Sequence, residues 1–125
     1  GGRLGRAGVT DFGAEHFAPE QRSAPAKAIR VAPPQADLRV LLADQPRSAL
    51  AAADAGFEVQ LSGHTHGGQI WPFNHLVPLQ QPFVAGLHRW RGLWVYTSRG
   101  TGYWGPPMRI GAPSEITRLR FVAQR

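Results

Sequence analysis

The chain has 125 residues and a mass of 13.6 kDa, enough for one domain with a hydrophobic core and too few for two. It contains no cysteine, which excludes a disulfide frame and a thiolate metal site, so any bound metal must rest on His, carboxylate, carbonyl or water. The net charge of +6 and pI near 11.3 raise a nucleic-acid reading, but the thirteen arginines are scattered, with no basic run and no RNA-binding signature, and solvated surface is their expected use.

In chain order, Leu4 to Val9 is a candidate strand, and Pro19 to Arg30 is a weak helical pattern interrupted by Pro25. Leu38-Arg39-Val40-Leu41-Leu42-Ala43 reads as a buried strand. Pro46 then takes a first-turn position ahead of Arg47 to Asp54, and Gly56 ends that helix. A second apolar strand, Phe57 to Leu61, follows at once, so residues 38–62 predict a strand-helix-strand unit with parallel strands and a right-handed crossover. Phe83 to Trp90 and Leu93 to Ser98 flank Arg91-Gly92 as a β-hairpin, with Trp90 and Trp94 expected to pack across it. Ser114 to Val122, where Thr117, Leu119 and Phe121 alternate with Arg118 and Arg120, predicts a last, antiparallel strand with one wet face.

The chemistry concentrates at Gly63-His64-Thr65-His66-Gly67-Gly68, directly behind the second strand. If the backbone stays extended there, side chains at i and i+2 share a face about 6 to 7 Å apart, so both imidazoles would reach one cleft. Two cations about 3.5 to 4 Å apart would suit such a pair. Ligands gather beyond the carboxyl ends of parallel strands, and here those ends carry Asp44 on one strand and His64 with His66 on the other. From Val59 to His88 there is no Asp, Glu, Lys or Arg, yet four of the five histidines lie there; if the stretch binds a cation, the charge arrives with the ion. Asp44 has a simpler role open to it, as a helix-capping acid ahead of Pro46.

Other residues make weaker claims. Arg99, Gly100 and Gly102 are candidates to cradle phosphate oxygens, because Arg pairs bidentately with phosphate and glycines leave backbone N–H groups free; a turn with a surface ion pair is the alternative. Trp71, Phe73, Tyr103 and Trp104 either line a hydrophobic mouth or pin their loops, the latter being the default. His75 and His88 read as structural or exposed, and Asp11, Glu15 and His16 as loop residues without an assignable role.

Leu61-Ser62-Gly63-His64-Thr65-His66-Gly67-Gly68-Gln69, with Val40 to Pro46 before it and Thr97 to Gly102 and Ala112 to Thr117 after it, resembles the carboxyl-terminal half of a calcineurin-like metallophosphoesterase. The resemblance runs from about Gly8 to Phe121 and is strongest to the bacterial branch often preceded by membrane helices. It implies an α/β fold, half of a four-layer α/β/β/α sandwich with a mixed sheet and a β-hairpin. Residues 1–125 would be a single partial domain lacking its amino-terminal half. It further implies hydrolysis of phosphate esters by a water activated between two divalent metals, manganese, iron or zinc being the expected ions. His64 would bind one metal and His66 the other, with Asp44 serving the metal of His64.

Two departures from the family pattern shape the expectation. The family carries His where this chain has Asp44, and the Asp-x-His, Gly-Asp and Gly-Asn-His-Asp/Glu elements that complete the site do not occur here in order. No catalytic residue is assignable in this half, and the chain by itself is expected to hold at most one metal weakly and to be inactive. It begins with Gly rather than Met, which suggests a fragment of a longer polypeptide. The implied partners are the missing half and a phosphorylated small-molecule or lipid-like substrate, monoester or diester. No uncharged apolar run reaches the roughly 20 residues of a membrane span, so this chain is expected to be soluble, with its compartment open; the resemblance allows a membrane-anchored parent. A non-catalytic relative that binds an anionic ligand or partner is the alternative, and a basic nucleic-acid-binding module a lesser one.

Overall fold

Strand, helix and strand follow one another in residues 38–62 for local reasons that survive folding. The computed structural model describes residues 2–9, 25–31, 33–68, 83–103, 105 and 107–122. After strand β2 (Leu38–Ala43), Pro46 opens a single 3-10 turn (Pro46–Ser48), where its missing N–H costs nothing, and the turn feeds helix α2 (Ala49–Ala55). Gly56 ends the helix at φ 94, its N–H donating to the carbonyls of Ala52 and Ala53. Strand β3 (Val59–Ser62) returns parallel to β2, with Val40 opposite Val59 and Leu42 opposite Leu61.

Strand β1 (Leu4–Val9) lies on the other side of β2, also parallel, and helix α1 spans Pro25–Val31, with Pro25 at its start rather than inside it. The hairpin is formed by β4 (Gly86–Trp90) and β5 (Leu93–Thr97), with β5 parallel to β3 and β4 antiparallel at the edge. Its two-residue link, Arg91-Gly92, has positive φ at both positions (47 and 85), the backbone that matches the twist of paired strands. The sheet order is therefore β1-β2-β3-β5-β4, a mixed α/β sheet of five strands.

Both helices cover one face. Ala28 of α1 and Ala49 and Ala52 of α2 pack with Leu41, Ala43, Leu93, Val95, Phe57 and Phe83. The small helical side chains let α2 approach the sheet closely, and each buried leucine there is worth roughly 1.5–3 kcal/mol. The opposite face follows from the two-residue period of strands: Leu42, Leu61, Tyr96 and Leu87 lie in one cross-strand row. That row is only partly covered, with Leu42 47% and Leu87 59% exposed.

Two expectations are corrected. Trp90 stands opposite Leu93, and Trp94 opposite Arg89, so the two indoles lie on different faces and do not pack on each other. Trp90 meets Phe83 edge-on with ring centroids 6.5 Å apart, whereas the Arg89 guanidinium sits 5.2 Å from the Trp94 ring centroid. Residues 114–122 form no regular strand, because alternation alone does not make one: a strand needs a neighbouring ladder, and the described residues supply none. The segment is tied down instead by the Tyr96 hydroxyl, which contacts Glu115 Oε1 at 2.5 Å and Thr117 Oγ1 at 2.6 Å.

Candidate metal centre

The parallel arrangement brings the carboxyl ends of β2, β3 and β5 together, and hydrogen bonds carry the alignment one step past the strands. Gly63 N–H donates to the Asp44 carbonyl at 3.0 Å and Ser98 N–H to the Ser62 carbonyl at 2.8 Å. Beneath them Gln60 is fully buried, and its Nε2 donates to Ser62 Oγ at 2.8 Å and to the Pro46 carbonyl at 3.3 Å. The buried Nε2 is satisfied in this way while Oε1 has no partner among the described residues, and through Nε2 Gln60 fixes where the chain runs immediately after Asp44. Above lies an open hollow of about 410 Å³, lined among others by Leu42, Asp44, Leu61, Gly63, Tyr96 and Thr117.

The backbone does not stay extended at the two histidines. His64 has φ 64 and His66 φ 48, both left-handed, and Gly67 follows at φ 64. Thr65 N–H donates to the Gly63 carbonyl at 2.7 Å, closing a three-residue turn around His64 in the rarer form of positive φ. For a residue with a Cβ such a conformation costs about 1–2 kcal/mol. It is held by tertiary contacts: Thr65 is buried, and its hydroxyl donates to the Val84 carbonyl at 2.5 Å. Strain of this kind persists where surrounding structure imposes it, commonly at functional sites.

The turn sends the two rings to different partners. His64 Nδ1–H donates to Asp44 Oδ2 at 2.8 Å, with both side chains about half exposed, which leaves Nε2 of His64 available. Asp44 does not cap the following helix: Gln45 holds the cap position and makes no side-chain capping bond. His66 is half-buried and faces the Gly102 carbonyl. Burial, with the positive charge of Arg109 second, lowers its pKa below 6.5, and the Gly102 carbonyl, accepting from the ring, opposes this only in part. The shift favours the neutral form of the ring, the one that ligates metals, and its Nδ1 is buried with no hydrogen-bond partner among the described residues.

These features fit imidazole ligation of a divalent cation. His64 has one ring nitrogen fixed by a carboxylate and the other available, the usual arrangement of a ligating histidine, and His66 has a buried Nδ1 without a hydrogen-bond partner among the described residues. The set is incomplete. Among the described residues no group of three or more His, Asp or Glu side chains is placed to hold a metal ion. Asp44 and His64 touch each other while His66 turns to Gly102.

The residues considered for phosphate are engaged within the chain. Arg99 Nη1 reaches Glu115 at 3.4 Å, and its side chain lies against Gly67, where an added Cβ would sit 2.9 Å from Arg99 Cγ. Gly100 N–H donates to Ser98 Oγ at 3.0 Å, and the Gly102 carbonyl accepts from Arg109 at 2.7 Å. The Tyr96 hydrogen bond holds the Glu115 carboxyl below its usual range, and burial together with that same bond raises the Tyr96 phenol. His88 is exposed and bonds the Ala85 carbonyl at 2.9 Å, a structural role as expected. Tyr103 is exposed. Asp11, Glu15, His16, Trp71, Phe73, His75 and Trp104 lie outside the described residues.

Sequence reasoning passed over Gln60, Thr65 and Arg109. Arg109 carried one signal, as the only charged residue between Arg99 and Glu115.

No family model and no solved structure matches the chain. Curated relatives do. It is 40% identical over 126 residues to an uncharacterized metallophosphoesterase of Helicobacter pylori (strain J99), covering 97% of this chain and 33% of that protein. It is 48% identical over 87 residues to the uncharacterized metallophosphoesterase Cj0846 of Campylobacter jejuni, covering 69% of this chain and 23% of the relative. A Bos taurus transmembrane protein with metallophosphoesterase domain is also 48% identical over 87 residues, covering 67% of this chain and 20% of its own length. The chain spans a third or less of each relative, and across that span it belongs to the metallophosphoesterase family.

Proposed function

We propose that this chain supplies part of the metal centre of a phosphoester hydrolase, with His64 and His66 as ligands, and is inactive without the rest of its domain. The observation that carries this reading is the strained turn itself. Two left-handed histidines at i and i+2, one oriented by Asp44 and the other half-buried with an Nδ1 unpartnered among the described residues, are costly to keep unless the rings have work to do. A pair of divalent cations in the complete domain would activate a water for in-line attack on phosphorus and draw off the charge that develops. Within this chain His64 and His66 present ring nitrogens, Asp44 fixes the His64 tautomer or joins as a ligand, Arg99 and Gly102 border the turn, and Gly100 lies between them in sequence.

The substrate is read as a phosphorylated small molecule or a lipid-like phosphoester, and the remaining ligands as contributions of an amino-terminal half. A membrane-associated parent is in keeping with the printed name of the bovine relative; among the described residues no helix is long and apolar enough to cross a membrane. A second reading, a relative that binds an anionic ligand or partner without catalysis, is favoured by the lack of a three-ligand group among the described residues.

One assay separates them: the chelator-stripped chain is supplied with manganese and a chromogenic phosphodiester, alone and with a separately expressed amino-terminal half of a relative. Turnover only with both halves, lost in His64→Ala and in His66→Ala, is the expected result. Manganese uptake and turnover unaltered by both substitutions would remove the site assignment, and uptake without turnover would favour the second reading.

A further inference from the structure

We propose that Arg109 is the positioning residue of this site, holding the His66 ring by gripping the backbone on both sides of it. The proposal rests on the reading of His66 as a metal ligand, and extends it to a residue that touches neither metal nor substrate.

A guanidinium has five N–H donors in a rigid plane. In Arg109 every one meets a backbone carbonyl. Nε reaches Ala112 at 2.7 Å; Nη1 reaches Gly102 at 2.7 Å and Arg99 at 3.0 Å; Nη2 reaches His66 at 2.9 Å and Pro113 at 3.3 Å. Those carbonyls come from two segments far apart in sequence, the histidine turn and the loop 99–113. Such complete saturation is not what a surface arginine needs, since water would serve it as well.

Two of the five acceptors explain what the clamp does. One is the carbonyl of His66 itself, at a residue with φ 48, so the bond holds the unfavourable backbone conformation. Another is the carbonyl of Gly102, a residue packed against the His66 ring, whose Cε1 lies 3.5 Å from where a Cβ on Gly102 would sit. Arg109 therefore fixes both the base of the side chain and the loop against which its ring packs, while Nδ1 of that ring is buried without a hydrogen-bond partner among the described residues. Lysine cannot substitute, because a single ammonium with three donors does not span five carbonyls.

The test uses the intact chain with 15N-labelled histidine and arginine, followed by nuclear magnetic resonance and manganese titration. In the unsubstituted chain the Arg109 guanidinium protons are expected as separate, slowly exchanging signals; one averaged, fast-exchanging signal overturns the clamp without recourse to any variant. In Arg109→Ala and Arg109→Lys, with the sheet amide pattern retained, the His66 ring signals are expected to shift while those of His64 stay in place. Unmoved His66 signals in a folded variant overturn the proposal. Arg109→Ala is expected to weaken manganese binding 10- to 100-fold, the range for a partner that orients a ligand, and to add nothing in a His66→Ala background. Equal weakening in both backgrounds means that Arg109 does not act through His66. An unsubstituted chain that takes up no manganese either alone or with an amino-terminal half defeats the metal reading, while the resonance measurements still decide whether Arg109 positions His66.

Discussion

The left-handed backbone at His64 makes a prediction whose sign is opposite to the ordinary one. Where φ is negative, alanine stabilises a position relative to glycine by about 0.4–1 kcal/mol through its smaller unfolded-state freedom. At φ 64 a Cβ carries about 1–2 kcal/mol of strain, which outweighs that gain, so the order inverts, and His64→Gly should be more stable than His64→Ala by about 1 kcal/mol. Against the parent, His64→Gly gains that relief and loses a half-exposed bond to Asp44 worth about 0–1 kcal/mol, which leaves it equal or slightly more stable. Urea unfolding followed by tryptophan fluorescence measures all three chains, and manganese titration should show that both variants have lost binding. An alanine variant as stable as the glycine variant would refute the claim that the ring is held against its own backbone.

Three further outcomes follow from the same geometry. Gly92→Ala, at φ 85 with nothing within 4 Å of the new Cβ, should cost about 1–2 kcal/mol from backbone strain alone. Gly67→Ala, at φ 64 and 2.9 Å from Arg99 Cγ, should cost roughly 1 kcal/mol more as Arg99 leaves Glu115; equal losses in urea melts would show that the contact is immaterial. Glu115 has a folded pKa below 4.5, so its contribution is full above that value and lost as pH falls through the folded value; Tyr96 has one above 10.0, so its contribution is full below 10.0 and lost as pH rises through the folded value. Tyr96→Phe should flatten both limbs of the stability profile, and unchanged limbs would show that the pair is not coupled to folding. Asp44→Asn should lower manganese affinity about 10-fold or more and Asp44→His should raise it, whereas no change in either titration would detach Asp44 from the metal.

What was legible in advance was local. Leu38 to Ala43 and Phe57 to Leu61 are apolar runs bounded by turn residues, Pro46 and Gly56 punctuate the helix between them, and Arg91-Gly92 is a two-residue hairpin link; each signal lies within a few residues of the structure it specifies. The convergence of Asp44 and His64 was also readable, because parallel strands joined by a crossover put their carboxyl ends side by side. Residues 114–122 show the limit of that kind of reasoning, since their alternation is real but no neighbouring strand is described to complete a ladder.

The sequence by itself picked out Asp44, His64 and His66 as candidate ligands and the sheet edge at which they stand. Only the tertiary structure decided how they point. The φ of 48 at His66, the Asp44 partner of His64 and the five-carbonyl grip of Arg109 depend on hydrogen bonds between segments 20 and 43 residues apart. Those bonds form only after the chain has closed on itself, and local preference for φ below zero would have sent both rings elsewhere.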